Sequence, residues 1–295
     1  MTILQLKAMI PEDARSKGVL AALFGSLFIS FDPVFIRFSG TGGFDTAFLF
    51  GLFTALSMSV IIQSTDRRGL SGTLYEGGWP LVFSSLLMVG SATTFVLSVK
   101  HTAVANTMII MSARPVLTAV VSWVFLRERT SKGLWLAIIG VMGGIGIVVS
   151  GSLESTNLLG DSLAMVTVSF LALNGTLLRR YKQVSRTAIV GLCGFFMAVV
   201  MFIPATPSGY SLNTWLIMGA MGLASAPLGR VLNAVSSRYI PAAETAVISL
   251  SNTVFAPVWI FILFHEQPPV NTLVGGAVVL GTILTYIALL RKRGR

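Results

Sequence analysis

Charge is what this chain of 295 residues has least of. Asp, Glu, Lys and Arg make up 11% of it, against about 25% in soluble domains. So few charges cannot solvate a globule that is 54% hydrophobic with a mean hydropathy of +0.82, which excludes a soluble domain. A disordered chain is excluded on the same ground. The single cysteine, Cys193, lies in the middle of an apolar run, so there is no disulfide framework. The two histidines, His101 and His265, stand apart from any Cys or carboxylate cluster, and no metal or other cofactor is expected. No polar stretch has room for an ATP-binding domain, and G-x-x-x-x-G-K-[ST] is missing, as are H-E-x-x-H and G-x-S-x-G. These absences exclude a primary pump and leave no catalytic constellation, so the chain does not read as an enzyme.

What is present is a succession of apolar runs. Ten can be marked: Gly18–Phe38, Asp45–Gln63, Gly77–Val99, Ala103–Leu126, Lys132–Gly151, Gly160–Leu178, Thr187–Pro204, Leu212–Ser236, Pro241–Phe264 and Val270–Leu290. Each approaches the roughly 20 residues a spanning helix needs, and lipid leaves helices as the form that satisfies their backbone. The run after residue 17 is too long for the apolar core of a cleavable signal. The expected fold is an all-α polytopic membrane protein with ten transmembrane helices.

The excess of positive charge (+10) supports this count. With the N-terminus inside, all but four of the 21 basic residues fall at inside ends. Arg37 and Lys100 fall outside, and Arg114 and Arg230 fall within spans. That asymmetry places both termini in the cytoplasm and explains the basic balance without nucleic acid.

The ten runs read as two fives. At an offset of 138 residues Ala105 meets Ala243, Thr107 meets Thr245, Val116 meets Val254 and Glu128 meets Glu266. At an offset of 142, Gly18 meets Gly160, Asp32 meets Asn174 and Arg37 meets Arg179. Five is odd, so the copies enter the membrane from opposite sides, as an inverted repeat. Arg127-Glu128-Arg129 in one copy becomes His265-Glu266-Gln267 in the other: the cations are lost where the copy faces out. The expected organisation is a cytoplasmic tail (1–17), a first five-helix repeat (18–151), a second, inverted repeat (160–290) and a basic cytoplasmic tail (291–295).

The sequence also resembles a known family. Small residues, a mid-helix proline (Pro115, Pro257), a helix-ending glutamate (Glu128, Glu266) and a following Gly-rich span are similar to the EamA repeat of the drug/metabolite transporter superfamily. The resemblance covers nearly the whole chain and departs from the pattern at His265–Pro269, where the loop is shorter. It implies ten spans, a bacterial cytoplasmic (inner) membrane location, and export of small metabolites, resembling exporters of aromatic and other amino acids.

Ionisable groups inside a bilayer are functional candidates. Asp32 lies roughly 21 Å along the first span, and Pro33 bends the helix there. Asp32 is either a site for an ammonium or a structural partner of an arginine. Arg114 heads a polar stripe with Asn106, Thr107, Thr118 and Ser122, which faces a cavity or another helix rather than lipid. Arg114 holds a substrate carboxylate or pairs with Asp32. Arg230 and Glu244 are expected to form an ion pair or inner gate. Glu128 and Glu266 are expected to cap or brace loops. Phe31, Phe35, Trp79, Phe95 and Trp123 are candidate cavity walls, Asn174 and Asn252 further substrate contacts, and Pro33, Pro115 and Pro257 helix bends. Gly140/Gly144 and Ala277/Gly281 offer close helix contacts within the monomer, in a monomer or weak homodimer.

The sequence reading is therefore a secondary transporter in the lipid bilayer that exports small metabolites, most simply amino acids. The alternatives are a nucleotide-sugar, phosphate-ester or drug exchanger, or a channel. A phosphate-ester exchanger needs more basic cavity residues than Arg114, Arg230 and Lys100.

Overall fold

The computed structural model describes residues 14–66, 69–126, 132–151, 157–240 and 248–293, and among these every regular element is a helix. The α-helices are α1 (Ala14–Ser30), α2 (Asp32–Phe38), α3 (Gly43–Thr65), α4 (Gly69–His101), α5 (Val104–Ser112), α6 (Arg114–Leu126), α7 (Lys132–Ser150), α8 (Leu158–Arg180), α9 (Arg186–Phe202), α10 (Leu212–Ala220), α11 (Ala226–Tyr239), α12 (Asn252–Phe264) and α13 (Val270–Arg293). A 3₁₀ turn (Pro207–Gly209) precedes α10, and a π turn (Met221–Ser225) joins α10 to α11. Five stretches are long and apolar enough to cross a membrane: Ser16–Phe38, Gly43–Thr65, Gly69–His101, Leu158–Arg180 and Leu212–Asn233. The pair α5–α6, bent by 41°, makes a sixth, and α7, α9, α12 and α13 contain shorter apolar helices.

The packing repeats itself. α1 lies along α11 and α4 along α8, while α3 packs on α9, α7 on α13 and α5 on α12. Exchanging the two halves of the chain turns the first of these contacts into the second and maps the α3–α9 and α7–α13 contacts onto themselves. The helices approach closely because small residues sit at the crossings. A Cβ added at Gly25 would stand 3.0 Å from the Gly229 carbonyl oxygen, and one at Gly229 as close to Gly25. Gly144 and Gly275 meet in the same way. Gly281, expected at such a contact, faces open space instead. At the α4–α8 crossing the contact is polar, with Thr94 and Thr167 hydroxyls 2.7 Å apart.

Irregularities interrupt the long helices at identifiable residues. Pro33 lacks the donor that would complete a continuous helix, and the chain breaks at Phe31 between α1 and α2. Pro115 stands at the second position of α6, just after the break at Ala113. Pro257 does not mark a break. α12 runs through it, and the irregular turn lies earlier, at Leu250 and Ser251. That is the point matching Ala113 at the 138-residue offset. α4 begins before the expected span and turns at Gly78 (φ 54°, ψ −158°), a conformation open to glycine alone. Tyr75 (91% exposed) and Trp79 (62%) flank that turn. Trp79 and Trp123 therefore face outward, where they contact Tyr181 and Trp135 respectively, and do not wall a cavity.

The π turn serves the packing. Its widened backbone frees the Gly222 carbonyl, which accepts a hydrogen bond from Ser57 Oγ at 2.8 Å. Ser225 Oγ donates to the Phe28 carbonyl at 2.9 Å, close to the α1–α2 break.

Candidate functional site

The break at Phe31 sets Asp32 at the first position of α2, where a carboxylate complements the helix dipole. The residue is 4% exposed. Its charge partner is Arg230, on α11, with Nη2 3.8 Å from Oδ2. The guanidinium also lies over the Phe50 ring, 5.5 Å from its centroid. One expected pairing is thereby revised: Asp32 meets Arg230 and not Arg114. Glu244, the expected partner of Arg230, and Glu128 lie outside the described residues.

The Asp32–Arg230 contact is long, and each partner keeps an unused atom. Asp32 Oδ1 and Arg230 Nη1 are buried with no hydrogen-bond partner. So are Ser26 Oγ, Asn233 Oδ1, Ser251 Oγ and Asn252 Oδ1. Among the described residues nine such atoms occur, and these six gather on α1–α2, α11 and the start of α12. An unsatisfied buried polar atom costs about 1–3 kcal/mol, so their concentration singles out this region. Asn233 Oδ1 would stand 2.9 Å from a Cβ at Gly25, which places it against α1. Phe31 stacks on Trp259 with ring centroids 4.8 Å apart, and Trp259 Nε1 donates to Ser30 Oγ at 3.0 Å.

The remaining expected contacts are divided. Asn106 donates to both Asp161 oxygens at 3.2 and 3.3 Å and accepts from Thr272. Thr107 shares a 2.8 Å hydrogen bond with Ser98, and Asn174 accepts from Ser84. These three tie helices together. Phe95 and Phe35 pack against the main apolar cluster. Phe31, Asp32 and Asn252 belong to the polar region around Arg230, which also contains Trp259 and Asn233. Of these last two, Trp259 carries no signal of its own in the sequence, while Asn233 is legible there as a neighbour on the Arg230 face. Trp259 is one of four aromatics in an apolar helix, whereas Asn233 stands three residues after Arg230 and follows it on one face.

At the end of the bundle that holds Arg37, the charges join several elements, although Arg37 Nε has no hydrogen-bond partner. Arg37 meets Glu266 at 3.1 Å and donates to the Thr102 carbonyl at 2.9 Å. Glu266 also accepts from the Val104 backbone N–H at 3.1 Å, capping α5 from across the fold. Thr102 Oγ1 donates to Asp161 at 2.7 Å. Lys100 Nζ donates to Ser39 Oγ and the Thr41 carbonyl at 2.9 and 3.0 Å.

Arg114 lies apart from both groups. It opens α6 just beyond the bend, is exposed, and is near enough to Arg186 for the two charges to repel. An apolar groove of about 460 Å³ between α3 and α9, walled by Leu52, Leu56, Phe195 and Val199, has the character of a lipid-facing surface. Among the described residues no group of His, Cys, Asp and Glu can hold a metal.

Comparison with known proteins agrees with this architecture. One solved crystal structure superposes with a TM-score of 0.66 at 17% identity, covering 93% of this chain and 98% of its own. The chain is 24% identical over 263 residues to the uncharacterized transporter YyaM of Bacillus subtilis, covering 83% of this chain and 84% of that one. It is also 24% identical over 233 residues to the pseudopaline exporter CntI of Pseudomonas aeruginosa, covering 77% and 78%. The model of the EamA-like transporter family matches twice, over residues 16–150 and 158–287. With two copies of that repeat spanning nearly its whole length, the chain is a multi-pass membrane protein and belongs to the EamA-like transporter family.

Proposed function

We propose that this protein is a secondary transporter that exports small zwitterionic metabolites, amino acids foremost, across a bacterial cytoplasmic membrane. It spans that membrane ten times with both termini inside, and its two inverted repeats rock about a central site. The observation that carries the reading is the stretched Asp32–Arg230 pair, with one unused atom on each partner, beside the Phe31–Trp259 stack. A zwitterion suits such a pair. Its ammonium takes Asp32 Oδ1, its carboxylate takes Arg230, and the aromatic stack and Asn252 receive its side chain. Guanidinium and carboxylate match as a planar fork. The role first given to Arg114 thus passes to Arg230. A relative with an exporter's name is consistent with the outward direction.

The test is counterflow in proteoliposomes of the purified chain with radiolabelled amino acids. Asp32→Asn and Arg230→Gln should each lower exchange by at least tenfold while the protein remains monodisperse. Exchange at the wild-type rate by either variant would overturn the zwitterion site. An imposed pH gradient reads proton coupling in the same vesicles.

A further inference from the structure

Where α8 gives way to α9, at the end opposite Arg37, there is a second cavity that the zwitterion site does not use. It measures about 320 Å³, within the range of small-molecule sites. Arg179, Lys182 and Arg186 line it together with Gly175 and Tyr181, and among the described residues no acid does. Among the described residues neither Lys182 nor Arg186 has an acidic partner. Beside the cavity α8 packs on α6. A Cβ on Gly175 would meet Thr118 Cγ2 at 3.3 Å, and Thr118 stands one turn beyond Arg114. Arg114 in turn is exposed and feels the charge of Arg186.

Retention of positive charge on the cytoplasmic side accounts for basic residues in a loop. It does not account for a cavity between them, nor for an exposed arginine at the bend of a spanning helix pair. Like charges converging on a partly enclosed space repel one another unless an anion enters. Guanidinium and ammonium groups around one cavity are a receptor for carboxylate or phosphate.

We propose that this cavity is the cytoplasmic entry site for a multiply anionic solute, whose carboxylate or phosphate groups are held by Lys182, Arg186 and Arg114. The proposal rests on the transport reading above and narrows it: the exported zwitterion carries additional negative charge. An anionic lipid headgroup presents the same chemistry at the membrane surface, but it would engage Lys182 and Arg186 without reaching Arg114 within the bundle.

The experiment uses the full chain in nanodiscs of phosphatidylcholine, with citrate as the polyanion and glutamine as the neutral zwitterion, read by calorimetry. Citrate should bind, more weakly as salt rises. Lys182→Gln with Arg186→Gln should weaken it at least tenfold, Arg114→Gln should weaken it to a similar degree, and Arg186→Lys should restore most of it. Glutamine binding should change less than threefold in the Lys182/Arg186 double variant, which also serves as the check that it folds. Absence of citrate binding to the wild type, or equal binding by the variants, overturns the proposal. Native mass spectrometry with phosphatidylglycerol added supplies the lipid arm. Retained lipid that is lost in the double variant but kept in Arg114→Gln, with no citrate bound, assigns the cations to a headgroup and overturns the solute site. If citrate binds as expected but neither solute is exchanged in proteoliposomes, the anion site stands and the transport reading falls.

Discussion

Gly51 and Gly194 face each other where α3 crosses α9, so closely that a Cβ on either would stand 2.9 Å from the other's carbonyl oxygen. The obstructing atoms are backbone, which cannot swing away. Gly51→Ala or Gly194→Ala must therefore part the two helices. We expect each to cost about 1–3 kcal/mol, seen as a lower thermal midpoint in detergent. Gly143→Ala and Gly146→Ala, where nothing lies within 4 Å, should leave the midpoint within the experimental scatter. Equal effects at both sets of positions would refute the close crossing.

The ion pair makes a second prediction. Removing one partner of a buried pair leaves the other uncompensated. Asp32→Asn or Arg230→Gln alone should cost about 2 kcal/mol, below the fully buried figure of about 3–5 kcal/mol because the Arg230 side chain keeps 27% exposure. The double variant should cost less than the two singles combined. Strict additivity in a double-mutant cycle would show that the two charges do not interact.

Glu266 fastens one end of the bundle. It holds Arg37 and caps α5 at once, so Glu266→Gln weakens two contacts with one atom changed. In a Cys193→Ser background, a cysteine at Ser39 (1% exposed) should react with a membrane-impermeant maleimide at least five times faster once Glu266 is neutralised. Unchanged labelling would mean that this end stays closed without the carboxylate.

The loop between α9 and α10 is held by Asp45, which accepts from Thr206 N–H at 2.8 Å and Tyr210 Oη at 2.7 Å. Burial, the hydrogen bond to Asp45 and that carboxylate's charge push the Tyr210 phenol well above its usual range. A raised folded-state value stabilises the native loop while the phenol stays protonated, and this contribution is lost as pH climbs past the unfolded value of about 10. Limited proteolysis within residues 203–211 should accelerate above pH 10 in the wild type. Tyr210→Phe should make the rate independent of pH there, and Asp45→Ala should make it fast throughout.

Much of this molecule was readable from local chemistry. Pro33 foretold the break at Phe31, because a missing N–H is a local fact. The repeat was readable because Glu128 and Glu266 keep their place in each copy. Partner choice was not. Arg230 meets Asp32 across 198 residues of chain, and no local pattern in the sequence announces a contact over that separation. The stripe through Asn106 and Thr107 was rightly kept away from lipid. A periodic pattern, however, gives the same signal for a cavity wall as for a seam between helices, and here both residues bond to neighbouring helices. Pro257 misled because a helix packed among others tolerates the loss of one hydrogen bond, so the irregularity at Ser251 arises without it.

The wide turn at Met221–Ser225 sets the phase of everything that follows it. Each residue advances an α-helix by about 100°, so one residue more or fewer before Arg230 decides which neighbour that side chain addresses. Excising one residue there would swing the guanidinium away from Asp32 by more than a quarter turn while leaving the composition of the helix almost unchanged. The Asp32–Arg230 pair is thus indexed by a count of residues in the backbone as much as by the charges that form it.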